Sequence, residues 1–248
     1  MNFAIVFHKE ERVFHLYNEE ISYIMRIMEN EQLEHLYYGK RIPNREGFSY
    51  LHEEARRSQM SVCVPEPGLL SMHYSAQEYP SYGTGDYRSP AFSILQENGS
   101  RVSDFKYQCH EIKNGKPSYL PLPMSYVEKE EEALTLDITL FDNLSQTEMV
   151  LEYTLYRDYP ILCRNVRFTQ KGKEKIFLER AMSMSVEFMD KDFSLLHLSG
   201  AWGRERYLKK RKLEMGIQSI QSLNGTCSGA EHNPFIALLR KGADEDQG

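Results

Sequence analysis

Residues 134–155 read LTLDITLFDNLSQTEMVLEYTL, and this stretch decides the fold. Its apolar residues recur at every second position in each half, as Leu134, Leu136, Ile138 and Leu140 and then as Met149, Leu151, Tyr153 and Leu155. Successive side chains of a strand point to opposite faces of a sheet. Each half therefore predicts a strand with one buried face.

The same period of two continues on both sides of this stretch. Further apolar runs begin near Ile5, Val13, Ile21, Leu33, Ala91, Val102, Ile161, Ile176 and Ile217. Asn98-Gly99 and Asn114-Gly115 lie between such runs and predict hairpin turns, because Asn and Gly accept positive φ. Residues 171–173 (KGK) are a third turn candidate. We predict an all-β fold, a large antiparallel β-sandwich.

Composition excludes several classes of protein. The 248 residues carry a net charge of −6, which argues against binding to nucleic acid. The single basic run, Arg204 to Lys212, is interpreted as a solvated strand edge or a subunit contact in preference to an anion site. No stretch approaches the ~20 apolar residues of a membrane span, and the start is too quickly charged for a signal peptide. We expect a cytoplasmic protein that binds neither membranes nor nucleic acid.

No familiar catalytic or cofactor motif is present. The sequence lacks a GxSxG elbow, a phosphate-binding GxxxxGK[ST] loop, a GxGxxG fingerprint and an HExxH pair. The cysteines, Cys63, Cys109, Cys163 and Cys227, are widely spaced and form no CxxC pair. We expect free thiols in a reducing compartment, and no metal, cofactor or catalytic residue.

Two features interrupt the strand pattern. Residues 40–68 are polar and charged and are expected to add little to a core. Arg180 lies among Leu178, Met182 and other apolar residues of the run from Ile176 to Phe188. A charge on an apolar face must be paired or reach solvent, so we expect a buried ion pair at Arg180 in preference to a ligand contact. On residues alone, a binding module, a structural domain and a part of an enzyme all remain open.

Four segments, in this order, resemble bacterial α-galactosidases of glycoside hydrolase family 36. They are residues 14–40 (with FHLY, SY and HLYYGK), 77–91 (QEYPSYGTGDYRSPA), 200–206 (GAWGRER) and 232–235 (HNPF). The resemblance covers essentially the whole chain, and the second and third segments are long and unusual.

The resemblance implies an architecture and an activity. Family members have an N-terminal β-supersandwich, a (β/α)8 barrel and a small C-terminal β domain, and residues 1–248 match the first part only. We expect a fragment that lacks the last strands of the sandwich and the catalytic barrel. The activity implied is retaining hydrolysis of terminal α-galactosides such as melibiose and raffinose, with both catalytic aspartates on the barrel. The chain alone is expected to be inactive.

The resemblance also suggests functional residues and partners. The Trp that matches Trp202 reaches the substrate pocket in the family, and an indole can stack on the apolar face of galactose. The alternative for Trp202 is a core residue packed beside Gly200 and Gly203. Relatives form tetramers in which a loop near residues 44–57 reaches a neighbouring pocket, and a mobile solvated loop is the alternative here. Other functions left open are an α-N-acetylgalactosaminidase and a stand-alone β-sandwich that binds carbohydrate or protein.

Overall fold

The computed structural model describes residues 2–52, 72, 75–83, 86–189, 192–222 and 229–244. Within these ranges the regular structure is almost entirely β, with short 3₁₀ turns at Phe48–Leu51 and Glu130–Glu132. The strands are β1 (Ala4–His8), β2 (Val13–Tyr17), β3 (Ile21–Ile27), β4 (Leu33–Lys40), β5 (Phe92–Gln96), β6 (Phe105–Asn114), β7 (Ala133–Asp142), β8 (Thr147–Tyr156), β9 (Leu162–Gln170), β10 (Ile176–Ala181), β11 (Ser194–Ala201), β12 (Arg204–Lys212) and β13 (His232–Leu239). All their pairings are antiparallel, so the predicted fold class is confirmed.

The chain divides into two compact units, Met1–Glu187 and Phe188–Gly248. The first unit contains a sheet of order β1-β2-β3-β4, a sheet of order β6-β7-β8-β9, and the pair β10-β5. The second unit contains a three-stranded sheet in which β11 lies between β12 and β13.

The core of the first unit joins its two four-stranded sheets. Residues 134–155 form nearly all of β7 and β8, which pair in register with Leu136 opposite Tyr153 and Ile138 opposite Leu151. These side chains belong to one buried cluster with Phe14, Leu16, Tyr23 and Met25 of the other sheet. The period-two pattern therefore points one face of each sheet inward, as expected for a sandwich.

The predicted hairpin turns are turns, but only the one at Asn114-Gly115 lies between paired strands. Gly99 and Gly115 have positive φ, of 83° and 75°. β6 before Asn114 pairs with β7, although β7 does not begin until Ala133, whereas β5 before Asn98 pairs with β10. The turn at residues 171–173 likewise joins β9 to β10, which belong to different sheets. A dipeptide fixes the local reversal of the chain, whereas strand pairing depends on which apolar faces meet.

Three other predictions in irregular or edge positions are wrong. No strand forms near Ile217, whose side chain is 94% exposed. Arg180 is exposed and contacts Ser89 Oγ at 3.5 Å rather than forming a buried ion pair. The strand predicted to run to Phe188 ends at Ala181, after a register shift between Leu178 and Arg180. The bulge ends the alternation on which the prediction relied.

The polar segment from residue 40 contributes more core than expected. Phe48 is 1% exposed and packs with Val13 and Ile24 in a second, smaller cluster. Residues 53–68 of that segment lie outside the described residues. Among the residues described, no helix is long and apolar enough to cross a membrane.

Candidate functional site

Trp202 occupies the tip of the β11–β12 hairpin in the second unit. Ala201 pairs with Arg204, so Trp202 and Gly203 form the turn between the strands. The indole is 91% exposed, which excludes the core packing considered from the sequence. Full burial of a Trp removes on the order of 200 Å² from water, worth on the order of 5 kcal/mol. The Trp202 indole is not buried in this structure, so it does not contribute that stabilisation and is accessible to a ligand.

The glycines beside Trp202 shape the tip. A Cβ on Gly200 would lie 2.2 Å from the carbonyl oxygen of Arg204 and 2.8 Å from Glu205 Cα. Only glycine allows the two strands to approach this closely. Gly203 has φ 74°, and its N–H donates to Glu205 Oε1 at 2.9 Å. These constraints hold the backbone on both sides of the indole.

Two arginines follow Trp202 closely in sequence, at the beginning of β12. Arg204 and Arg206 are exposed, and Arg206 adopts a positive φ of 63°. An indole face with nearby guanidinium donors can bind a sugar by stacking and by hydrogen bonds to its hydroxyls. The tip therefore has the chemistry expected of a sugar contact, with no acid, base or nucleophile implied by it.

The beginning of the other candidate segment, residues 44–57, is anchored. Asn44 Oδ1 accepts from His15 Nδ1 and from His8 Nε2, both at 2.9 Å. Burial is the main cause that lowers the pKa of His15 to about 4. A neutral His15 can donate from Nδ1 and accept from Ser22 Oγ at Nε2, 2.9 Å away. Residues 53–57 lie outside the described residues, so the segment's contact with a neighbouring pocket stays a prediction.

The segment 77–91, the second of the four that carried the resemblance, contains a buried charge. The Glu78 side chain is fully buried, and Arg164 Nη2 lies 2.7 Å from its Oε1. Tyr23 and Tyr153 donate their hydroxyls to the same oxygen at 2.6 and 2.8 Å, and His35 Nδ1 lies 3.3 Å from Oε2. Burial alone would raise the pKa of Glu78, but Arg164 and these hydrogen bonds together lower it. The Glu78 carboxyl is therefore charged at neutral pH, where it is a structural centre and has no role as a proton donor.

The position of Arg164 in the sequence is itself a signal of a buried charge. Arg164 shares one face of β9 with Leu162, Val166 and Phe168, which pack against the main core. A charge on an apolar face needs a partner, and this predicted a buried ion pair at Arg180, but β10 is mostly exposed. The same reasoning holds for Arg164, which also donates to Ser185 O at 2.6 Å.

Asp137 and Glu152 are a second pair of buried acids, facing each other across β7 and β8. Carboxyl pairs catalyse glycoside hydrolysis in many enzymes, so their environment matters. Lys113 Nζ lies 2.9 Å from Asp137 Oδ2, and the Tyr119 hydroxyl donates to Glu152. Each acid is thus engaged through one oxygen, whereas Asp137 Oδ1 is buried without a hydrogen-bond partner. The expectation of no catalytic residue stays a prediction. Within the described residues, no group of three or more His, Cys, Asp or Glu is arranged to hold a metal.

Comparison with protein families places this geometry in context. Residues 31–248 match the model of the glycosyl hydrolase family 36 N-terminal domain. The chain belongs to glycosyl hydrolase family 36. The resemblance given by the four sequence segments is therefore confirmed.

Family 36 relatives match along nearly the whole chain. It is 40% identical over 245 residues to alpha-galactosidase AgaA of Geobacillus stearothermophilus, covering 99% of this chain and 33% of AgaA. The crystal structure of GH36 alpha-galactosidase AgaB from the same organism superimposes with TM-score 0.91 at 41% identity, over 98% of this chain and 33% of AgaB. A variant of AgaA in complex with raffinose gives TM-score 0.88 at 42% identity, over 94% and 32% of the two chains. The chain spans about a third of the length of these relatives.

Proposed function

We propose that this chain is the N-terminal β-sandwich part of an α-galactosidase that hydrolyses terminal α-galactosides such as melibiose and raffinose with retention. The observation that carries the proposal is the match along almost the whole chain to proteins named α-galactosidases. The relative crystallised with raffinose supports the class of substrate. Catalysis is assigned to residues outside these 248, because the chain spans about a third of the length of the α-galactosidases that it matches.

Trp202 is the residue to which we assign contact with the sugar. Its exposure, its fixed position at the hairpin tip and its arginine neighbours support this role. The contact is made by stacking, so it binds and orients the galactoside and takes no part in bond breaking.

Assembly and location complete the proposal. A homo-oligomer, with a tetramer as the expected form, is supported by a short segment with three exposed apolar side chains: Leu120 (81%), Leu122 (65%) and Tyr126 (73%). Clustered exposed apolar groups mark interaction surfaces. A cytoplasmic location is supported by the free thiols of Cys109 and Cys163.

The test of the Trp202 assignment compares Trp202→Ala and Trp202→Phe in the product of the complete reading frame. Loss of a stacking contact worth about 1 kcal/mol should weaken raffinose binding roughly fivefold in the Ala variant. Phe should recover part of the loss, because it keeps an aromatic face. Tyr207→Ala is the control, because it removes an exposed aromatic side chain from β12 and should leave KM unchanged. Equal KM values for all four proteins would overturn the assignment of Trp202 without affecting the proposed activity.

A further inference from the structure

One face of the second unit's sheet gathers cations and imidazoles. His197 on β11 is opposite Lys209 on β12, and Leu195 is opposite Arg211. On the other side of β11, Ser199 is opposite His232 at the start of β13. Directly opposed residues, and residues two apart along a strand, project from the same face. The rings of His197 and His232 accordingly approach to 5.8 Å between centroids.

Polar atoms on this face are buried without partners. His197 is 8% exposed, and its Nδ1 and that of His232 are enclosed with no hydrogen bond. An unpaired buried polar atom destabilises the fold unless it is satisfied by a partner. Two such atoms on rings that approach each other indicate that the face accommodates a hydrogen-bonding partner.

The charges identify the sign of that partner. Within the described residues, neither Lys209 nor Arg211 forms an ion pair, and Arg211 donates only to the carbonyl oxygen of Ser219, at 3.1 Å. Burial, followed by the nearby Arg211, His232 and Lys209, lowers the pKa of His197. A metal cation would be repelled by the same side chains, whereas an anion would be attracted.

We propose that this face binds a phosphate group, held by Lys209, Arg211, His197 and His232. Lys and Arg supply the charge, and the imidazole N–H groups donate to phosphate oxygens. The basic run of β12, interpreted from the sequence as a solvated strand edge or a subunit contact, then binds a ligand on one of its two faces.

The two faces of β12 provide a matched comparison. Lys209→Gln with Arg211→Gln removes two charges from the proposed face, and Lys210→Gln with Lys212→Gln removes two from the opposite face. Both double variants of the full 248-residue chain change the net charge by the same amount. Any difference between them therefore reports the position of the charges and not their number.

Inorganic phosphate is titrated into the wild-type chain, and its binding is measured by calorimetry and by NMR of the histidine rings. Saturable binding at one site per chain is expected, with a rise in the pKa of His197 as the site fills. The Lys209/Arg211 variant should bind at least roughly tenfold more weakly, and the Lys210/Lys212 variant should bind within about twofold of wild type. Glycerol 3-phosphate tests whether a monoester is accepted as well as the free ion.

Two results would overturn the proposal. One is the absence of saturable phosphate binding by the wild-type chain, a measurement that depends on no variant being folded. The other is an equal loss of affinity in both double variants, which would mean that phosphate responds only to overall charge.

Discussion

Arg164 and Glu78 form an ion pair inside the first unit, with Nη2 2.7 Å from Oε1 and side chains that are 7% and 0% exposed. The pair joins β9 to the segment 77–91, and the hydroxyls of Tyr23 and Tyr153 connect it to both four-stranded sheets. Buried charges of this kind are costly unless every group is satisfied. The first unit should therefore be sensitive to the removal of any one member.

Arg164→Met is expected to destabilise the first unit by about 3–5 kcal/mol, because it leaves the Glu78 carboxylate buried without a cation. Urea unfolding followed by circular dichroism measures the loss. Arg101→Met is the control, since Arg101 forms an exposed pair with Glu179 and such pairs contribute little. Similar losses in the two variants would contradict a special role for the buried pair.

The pH dependence of Glu78→Gln follows from the lowered pKa of Glu78. A carboxyl with a depressed pKa in the folded state stabilises the fold fully above its unfolded value of about 4.3. That contribution is lost as the pH falls through the folded value. The difference in unfolding free energy between wild type and Glu78→Gln should thus be constant from pH 8 to pH 5 and shrink only in more acidic solution. A difference that grew on acidification would show the opposite sign.

Glu152 should show the reverse behaviour. Burial raises its pKa, against the opposing effect of Lys116, Arg167 and Lys113. A raised pKa means that the proton stabilises the fold, and this stabilisation is lost as the pH rises through the folded value. Glu152→Gln keeps a hydrogen-bond acceptor for Tyr119 without the charge. The melting temperature of Glu152→Gln minus that of wild type should increase from pH 4 to pH 8. A difference that stays constant or falls would contradict the raised pKa of Glu152.

Gly200→Ala tests the shape of the hairpin tip. The added Cβ would lie 2.2 Å from Arg204 O, so the backbone must shift at a cost of about 1–3 kcal/mol. Trp202 is the single Trp of the chain, so its fluorescence reports the tip alone. We expect a changed emission anisotropy for Gly200→Ala. Gly216→Ala, in the same unit, also strains the backbone because Gly216 has φ 105°, but its added Cβ meets no atom within 4 Å and should leave the anisotropy of Trp202 unchanged.

The sequence predicted the strands of the first unit better than their pairing. Alternation identified β7 and β8 because each presents one face to a common core. The Asn-Gly turn at residue 98 did not reveal the strand partner of β5, because pairing is decided by contacts distant in sequence. The run at Ile217 has the composition of a strand, but nothing in the described residues covers it.

The candidate site was only partly predictable. Trp202 was identified through the resemblance, since composition alone favoured a buried Trp, and its exposure is a tertiary property. Arg164 could have been found from its position on an apolar face of β9, whereas its partner Glu78 lies in an irregular loop with no periodicity to orient it. The paired imidazoles of His197 and His232 are far apart in sequence and meet only because β11 and β13 are neighbours.

The most direct test of the account is hydrolysis of p-nitrophenyl α-galactoside by the 248-residue chain and by the product of the complete reading frame. The account predicts release of nitrophenol by the complete product and none by residues 1–248. Hydrolysis by the 248-residue chain would contradict the assignment of catalysis to other residues, and Asp137 and Glu152 would then be the first acids to replace. No hydrolysis by either protein would contradict the proposed α-galactosidase activity itself.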